Sequence, residues 1–490
     1  MTSETKTSSR GLALAILCAM QLMIVLDGTI VTVALPTIQS ELGFTQGGLS
    51  WVVNSYLIAF AGLLLLSGRL GDLIGTKKVF LSGLVTFTLA SLLCGIATNS
   101  EMLIAGRFLQ GVGAALASAV VLGMIIGLYS EPAEQVKAMG IYGFVSAGGA
   151  SLGLIAGGVI TETLGWHWVF LINLPIGALA LVSGLKLLQG RPGLGLKAGA
   201  DAIGAVLVTA GLSLGVFTIS QISDENFTAG ELSVYGALAV VLIVAFLVRQ
   251  AKAARPLLAL RIFRNREISG ANLTVVLLFA AGFGFQFLNA LYLQRILGFD
   301  SMETGLGFLP APIVIGTMSL FFTSKLTAKF GTRKVLLSGL FFLSIGLLLL
   351  SRAPVDGSYA TDVLPTLIIQ GFGMGLTVPA VIMRAMSAAA PEDAGLASGL
   401  NTTAQQAGAA VGLAVLATVA TTYSNNLVAE GTPQIEALRD GYSLGFMLSA
   451  GFVLAAWLVT FFVLRDKPAA AQAADKPAEQ AAPAEPVVVH

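Results

Sequence analysis

Residues 68–79 read GRLGDLIGTKKV, and residues 324–335 read SKLTAKFGTRKV. The two segments align without gaps at an offset of 256 residues, which places Gly75 opposite Gly331 and Thr76 opposite Thr332. A second match lies at an offset of 260 residues, where QGVG at 110–113 corresponds to QGFG at 370–373. Two matches in the same order and at nearly equal offsets indicate two parallel repeats. Parallel repeats with a binding site between them are typical of membrane transporters.

The composition is that of a polytopic membrane protein. Of the 490 residues, 56% are hydrophobic and 11% are charged, whereas a soluble protein carries roughly 25% charged residues. A membrane helix needs about 20 mostly apolar residues, and the chain contains fourteen such runs, the first over residues 11–36. The net charge of +1 gives no reason to expect nucleic acid as a partner. The cysteines and histidines lack metal-ligand spacing, so no metal site is expected.

The distribution of Lys and Arg predicts the orientation of the spans. If the N-terminus is cytoplasmic, most basic residues fall in cytoplasmic loops, and the predicted outer loop SQISDENFTAGE at 220–231 contains none. We therefore predict an all-α polytopic membrane protein with 14 transmembrane helices and both termini inside. Its predicted parts are a cytoplasmic N-terminus (1–10), an N-terminal six-helix bundle (11–190), two inserted transmembrane helices with a basic cytoplasmic linker (191–266), a C-terminal six-helix bundle (267–465) and a disordered cytoplasmic tail (466–490).

One carboxyl group lies well inside a span, in the stretch MIVLDGTIVTVALP at residues 23–36. An ionised acid at the centre of a bilayer is costly, and such residues usually belong to a transport pathway or pair with another charge. The remaining acids lie near predicted helix ends or in loops, and the two histidines lie at a predicted outer surface and in the tail. Asp27 is therefore the best candidate for carrying a proton across the membrane.

Arg107 is the candidate partner of Asp27. With Pro36 as the outer end of the first span, Asp27 lies about 13 Å inside it, and Arg107 lies about 9 Å inside the fourth span, which begins near Glu101. If both face a shared cavity, the guanidinium favours the ionised acid, whereas loss of water favours the neutral acid. A change in this balance between two conformations would bind and release one proton. The alternative is a permanent structural ion pair that does not titrate.

Further side chains are candidates for lining a substrate cavity. Met20 and Met23 share a helical face with Asp27, and adaptable methionines suit varied apolar ligands, although ordinary helix packing explains them equally well. The ninth and thirteenth spans add aromatic and amide groups: Asn272, Phe279, Phe283, Gln286, Asn401 and Gln405. For the thirteenth span, helix association through amides is the stronger explanation.

Four segments resemble motifs of the major facilitator superfamily, and more narrowly of its fourteen-span drug:proton antiporters of the EmrB/QacA type. They are Gly68-x-Leu70-x-Asp72-x-x-Gly75-x-Lys77 after the second span, Leu26-Asp27-x-Thr29 through Ala34-Leu35-Pro36 in the first, Gly106-Arg107-Phe108-Leu109-Gln110-Gly111 in the fourth, and Gly149-x-x-x-Gly153-x-x-x-Gly157-Gly158 in the fifth. The resemblance covers residues 11 to about 465 and implies the major facilitator fold, two six-helix bundles plus two inserted helices. Two positions depart from the family pattern: Leu154 replaces its usual proline and Leu73 its usual arginine.

The resemblance also implies a role in conformational gating for two of these segments. In the loop, it implies a cytoplasmic latch in which Asp72 interacts with a helix N-terminus or a basic residue. The other gating candidates of that motif are Gly68, Gly75 and Lys77. The gating candidates of the fifth span are Gly149, Gly153 and Gly157, whose spacing of four residues favours close helix packing over ligand contact.

Together these features predict a proton-coupled multidrug efflux transporter of the bacterial cytoplasmic membrane that works by alternating access. Its expected cargo, lipophilic and often cationic compounds, follows from the resemblance alone. We expect no enzymatic activity, no cofactor besides the proton gradient, the lipid bilayer as surroundings, and a monomer. The sequence leaves open a dedicated exporter of one metabolite (an antibiotic, a siderophore or an amino acid), a nutrient importer or a sensor that no longer transports. It also leaves open the use of a periplasmic adaptor.

Overall fold

The computed structural model describes residues 3–45, 48–129, 132–190, 193–195, 199–223, 227–253, 256–387 and 394–464. The predicted tail at 466–490 lies outside the described residues. Within them the chain forms fourteen long helices. These are α1 (Ser3–Leu42), α2 (Trp51–Ile74), α3 (Thr76–Gly95), α4 (Ser100–Leu128), α5 (Pro132–Leu164), α6 (His167–Leu187), α7 (Ala202–Ser220), α8 (Ala229–Lys252), α9 (Arg266–Arg295), α10 (Ser301–Phe330), α11 (Thr332–Leu350), α12 (Leu364–Ser387), α13 (Ala394–Ala429) and α14 (Gln434–Val463).

Fourteen membrane-spanning helices are confirmed. Thirteen of them contain a stretch long and apolar enough to cross a membrane, and α5 contributes a shorter described apolar stretch, Leu152–Leu164. Their lipid-facing positions carry large apolar side chains, and α8 is an example, with Val234, Val240 and Val241 more than half exposed. Such exposure is expected for a chain whose solvent is lipid, where these side chains face hydrocarbon.

The repeat that the sequence indicates is present in the backbone. Gly75 joins α2 to α3 with φ 100° and ψ 140°, and Gly331 joins α10 to α11 with φ 85° and ψ 151°. Each donates its N–H to a carbonyl four residues earlier, Gly75 to Gly71 at 3.1 Å and Gly331 to Thr327 at 2.9 Å. Positive φ favours glycine because a Cβ is strained there. The two matched glycines therefore make the same turn in each half.

The second match corresponds to a close approach between helices. In the first half, a Cβ at Gly113 of α4 would meet the carbonyl of Gly83 of α3 at 2.9 Å. In the second half, a Cβ at Gly373 of α12 would meet the carbonyl of Gly339 of α11 at 2.7 Å. Small residues let membrane helices approach closely. The same close contact therefore joins α3 to α4 and α11 to α12. Gly83 and Gly339 correspond at the offset of 256 residues, and Gly113 and Gly373 at the offset of 260.

The first helix is longer than we predicted. We expected it to end near Pro36, but α1 continues to Leu42 with Pro36 inside it. A proline within a helix removes one hydrogen bond and crowds a preceding carbonyl, and neighbouring helices make this tolerable in membranes. Here Gln39 accepts a hydrogen bond from Arg295 of α9 and donates one to the Phe44 carbonyl at 3.1 Å. The prediction was wrong because the contact with Arg295, 256 residues away, is not visible in the local sequence.

Asp201 joins the two inserted helices at their cytoplasmic ends. Its carboxylate caps α7 by accepting from the Gly204 N–H at 2.9 Å, and it accepts from Arg249 Nε at 2.5 Å and Gln250 Nε2 at 2.8 Å, both on α8. Burial acts to raise the pKa of Asp201, but these three hydrogen bonds and the Arg249 charge outweigh it and hold the pKa below its ordinary value. The inserted helices are therefore joined by a charged clamp.

The outer ends of the two halves are in contact. Gln294 Nε2 of α9 donates to the Val33 carbonyl of α1 at 3.1 Å. On the opposite side, Gly158 of α5 lies against the backbone of Met302 of α10. These contacts join the two halves at their outer ends.

Candidate functional site

Asp27 and Arg107 form an ion pair inside the N-terminal half. Arg107 Nη1 donates to Asp27 Oδ2, and the two side chains are 1% and 0% exposed. Helix α1 supplies the acid, and α4 supplies the base two turns after its Asn99 cap, whose side chain accepts from the Met102 N–H at 2.8 Å. The two charges that the sequence placed at similar depth are thus in direct contact.

Gln110 connects both members of the pair. Its Oε1 accepts from Arg107 Nη1 at 2.8 Å, and its Nε2 donates to Asp27 Oδ1 at 3.0 Å. The same Nε2 donates to Ser91 Oγ of α3 at 2.8 Å, and Ser91 donates to the Phe87 carbonyl at 2.8 Å. A buried polar network whose members are satisfied is rigid, because each group would be costly to leave without a partner. We call Asp27, Arg107, Gln110 and Ser91 the charged network.

Groups from α2 and α6 enclose the guanidinium. Arg107 Nε donates to the Val52 carbonyl at 2.8 Å. The Arg107 Cζ atom lies 4.5 Å from the ring centroid of Tyr56 and 5.8 Å from that of Phe170. A cation over an aromatic face is attracted by the ring quadrupole. Arg107 is therefore held from several sides, and its position does not depend on Asp27 alone.

The sequence did not reveal Gln110 or Ser91 as members of the site. Gln110 lies three residues after Arg107, on the same face of α4, and it belongs to the repeated QGVG segment, so it could have been found. Ser91 carries no such signal, because only the packing of α3 on α4 brings it there. The proton-carrier hypothesis supposed a cavity shared by the two charges, whereas in this structure protein atoms enclose both.

The sequence model of the Major Facilitator Superfamily matches residues 17–413 of the chain. The chain belongs to the Major Facilitator Superfamily. It is accordingly a multi-pass protein of the bacterial cytoplasmic membrane.

Similar proteins of the superfamily are named for antibiotic export or resistance. The chain is 35% identical over 449 residues to the puromycin resistance protein pur8 of Streptomyces alboniger, covering 91% of this chain and 89% of that one. It is 36% identical over 463 residues to the cephamycin export protein CmcT of Amycolatopsis lactamdurans, covering 94% and 93%. It is 31% identical over 471 residues to the lincomycin resistance protein of Streptomyces lincolnensis, covering 95% and 94%.

Solved structures of superfamily transporters share the fold. The POT family transporter PepTSo aligns with a TM-score of 0.68 at 14% identity, covering 93% of this chain and 97% of that one. An inward-facing bacterial homologue of the human lysosomal transporter Spinster aligns with a TM-score of 0.65 at 15% identity, covering 94% and 99%. At this identity the likeness concerns the fold alone, and it confirms the predicted major facilitator architecture.

The structure places the methionine candidates in the core. Met20 and Met23 are both 0% exposed, within the hydrophobic cluster of the N-terminal half. This position favours the packing explanation over contact with a ligand in this conformation. Their predicted role in substrate binding stays a prediction.

The candidates of α9 and α13 fall into three groups. Gln286 lines a cavity between the halves, together with Thr29 of α1. Phe279 and Phe283 are partly buried against the core of the N-terminal half. The amides nearer the cytoplasm form hydrogen bonds within their own helices. Asn272 Nδ2 donates to the Ile268 carbonyl at 2.9 Å, and Gln405 Nε2 donates to Asn401 Oδ1 at 2.7 Å.

The glycine face of α5 packs on the helix that carries Asp27. A Cβ at Gly149 would meet Leu22, one at Gly153 would meet Thr29, and one at Gly157 would meet the Ile30 backbone at 2.9 Å. These contacts lie on both sides of Asp27 along α1. Leu154, at the position of the family's usual proline, is buried, and its carbonyl contacts Gly305 of α10.

The loop motif is joined to the end of α6 and to the segment that follows it. The Leu194 N–H donates to the Asp72 carbonyl at 2.9 Å, and Lys77 Nζ donates to the Leu185 carbonyl at 2.8 Å. The Asp72 side chain itself is 63% exposed, with Arg69 Nη1 at 3.6 Å from its Oδ2. Arg69 and Asp72 both belong to α2, so this contact does not itself join two helices. A role in gating stays a prediction.

Proposed function

We propose that this chain is a proton-coupled exporter of lipophilic compounds, in which Asp27 carries the proton. The observation that carries the proposal is the wholly buried Asp27–Arg107 pair. Charges inside membrane proteins are costly and are usually retained for function. The names of the similar proteins, which concern resistance to or export of antibiotics, support export as the direction and drug-like molecules as the cargo.

Protonation of Asp27 would change the forces between α1 and α4. It removes the negative charge, and with it the Coulomb attraction that holds α1 to Arg107. Arg107 would remain bound to the Val52 carbonyl and to Gln110. The change in charge therefore loosens α1 from α4 without releasing the arginine.

The glycine face of α5 gives α1 a smooth surface along which to move. Because α5 also contacts α10 at Gly158 and Leu154, a shift of α1 against α5 would be felt at the outer contact between the halves. Alternating access in such folds is largely a rocking of one half against the other. In this proposal the pairing of Asp27 with Arg107 accompanies the contacts between the outer ends of the two halves.

A dedicated exporter of one compound is the second candidate. Each of the similar proteins cited above is named for a single antibiotic, namely puromycin, cephamycin or lincomycin. Substrate range therefore has to be measured. We propose that proton motive force alone drives the cycle, without a cofactor, and that the chain transports without catalysing a reaction.

The test is a substrate screen with the purified protein in proteoliposomes under an imposed pH gradient, read by proton movement. A multidrug exporter would move protons in response to several unrelated lipophilic compounds. A dedicated exporter would respond to one compound and its close analogues. If no compound moves protons at any gradient, the proposal of proton-coupled export is wrong.

A further inference from the structure

A cavity of about 190 Å³ occupies the place in the second half that the charged network occupies in the first. The offset of 260 residues matches Gln110 with Gln370 and Arg107 with Leu367, and the offset of 256 matches Ser91 with Leu347. Gln370, Leu367 and Leu347 all line the cavity. Gln370 thus has the amide of Gln110, whereas leucines stand where the first half has Arg107 and Ser91.

This exchange leaves Gln370 without a hydrogen-bond partner for one amide group. Gln110 Nε2 donates to Asp27 and Ser91, but Gln370 Nε2 is buried and unpaired among the described residues. The residue as a whole is 6% exposed. A buried donor without a partner costs about 1–3 kcal/mol. A ligand that supplies an acceptor there would recover that cost.

The walls of the cavity specify the rest of the ligand. They are mainly apolar, the lining contains no acidic or basic side chain, and the partly buried Gln286 is the other amide. An engineered apolar cavity of about 150 Å³ binds benzene, so this one accommodates a single ring with a small substituent. Thr29 and Leu154 line it from the first half. Both halves therefore form its walls, and a rocking motion would change its shape.

We infer that this cavity binds the uncharged end of a lipophilic substrate, a ring bearing a carbonyl or ether oxygen that accepts from Gln370. The inference rests on the proposed function and narrows its substrate class. Proton and cargo then use matched positions in the two halves, the charged network in the first and the neutral cavity in the second. No charge on the substrate is needed for binding at this site.

Photolabelling with acetophenone, an aryl ketone of suitable size, tests the inference. The full chain is irradiated with the probe in lipid nanodiscs and digested with trypsin. Cleavage after Arg352 and Arg384 gives a peptide, residues 353–384, that holds Gln370 and Met374. We expect this peptide to carry saturable label, and isopropylbenzene, which lacks the acceptor, to compete about fivefold less well than unlabelled acetophenone, as one hydrogen bond predicts.

Two variants and one control localise the site. Gly282→Val places methyl groups in the cavity, since a Cβ there meets only Met374 Cε, at 3.9 Å, and it should reduce labelling at least fivefold. Gln370→Met keeps the side-chain length, removes the donor, and should abolish the preference for acetophenone over isopropylbenzene. Gly451→Val makes the same change on the exposed face of α14, where a Cβ meets nothing within 4 Å, and should label like the parent.

The outcomes separate this inference from the proposed function. Labelling spread over lipid-facing peptides and equal in all variants means partition into lipid only and overturns the inference, even if gradient-driven transport is intact. Saturable labelling of residues 353–384 that Gly282→Val abolishes supports the cavity, even if no compound moves protons.

Discussion

Replacing Asp27 with asparagine distinguishes a proton carrier from a structural ion pair. Asparagine preserves the size of the side chain and an acceptor for Gln110 Nε2, but it cannot lose a proton. It also leaves the Arg107 charge buried without a counterion, and removing one member of a buried pair costs about 3–5 kcal/mol. Because Arg107 keeps the Val52 carbonyl and Gln110 Oε1 as partners, we expect the lower end, about 3 kcal/mol.

The double variant Asp27→Asn with Arg107→Gln removes both charges. Replacing a buried pair by neutral groups is often close to neutral for stability, so we expect thermal unfolding near that of the parent. Both variants should nevertheless lose transport that depends on the pH gradient, since neither has a titrating group at this position. If the pair were only structural, the double variant would regain transport along with stability.

The assay is uptake of a fluorescent lipophilic cation such as ethidium into proteoliposomes across a gradient of one pH unit, which supplies about 1.4 kcal/mol per proton. Thermal unfolding in detergent gives the stability of each variant. Asp356→Asn, the same substitution at an exposed site in the outer loop, is the matched control and should transport normally. Gradient-dependent uptake by either Asp27 variant would refute the role of Asp27.

Three further predictions concern the gating motifs and the clamp. Asp72→Asn should slow turnover more than it weakens ligand binding, and equal effects on both quantities would contradict a latch. Gly157→Ala should lower stability by about 1–3 kcal/mol by crowding the Ile30 backbone, while Gly148→Ala, where a Cβ meets nothing, should unfold like the parent. Because the pKa of Asp201 is lower in the folded state, its carboxylate stabilises the fold above the ordinary pKa of about 3.9. This stabilisation is lost as the pH falls through the lower pKa of the folded state. Asp201→Asn should therefore unfold more easily at pH 7, and this difference should disappear in acid; a constant difference across pH would exclude the carboxylate as the cause.

The sequence determined the class of fold because its signals are local. The sequence shows the apolar runs of about 20 residues, the basic loops and the two repeat offsets without any knowledge of tertiary contacts. The structure agrees with them in the number of helices and in the repeat. It also singled out Asp27 and Arg107, since so few charges lie within the spans. These properties follow from the cost of polar groups in hydrocarbon, which acts on every residue separately.

Only the tertiary structure decided what surrounds those charges. The extension of α1 past Pro36 depends on Gln39 meeting Arg295, which lies far along the chain. Met20 and Met23 share a face with Asp27 in sequence, yet packing places them in the core and brings Gln110 to the acid instead. Contacts between helices depend on which ridges and small residues meet in space, and α1 carries no local record of α3, α4 or α5. The same reason applies to Gln370. Its QGFG motif is readable in the sequence, but the cavity beside it and the unpaired state of its Nε2 among the described residues depend on the packing of the folded chain.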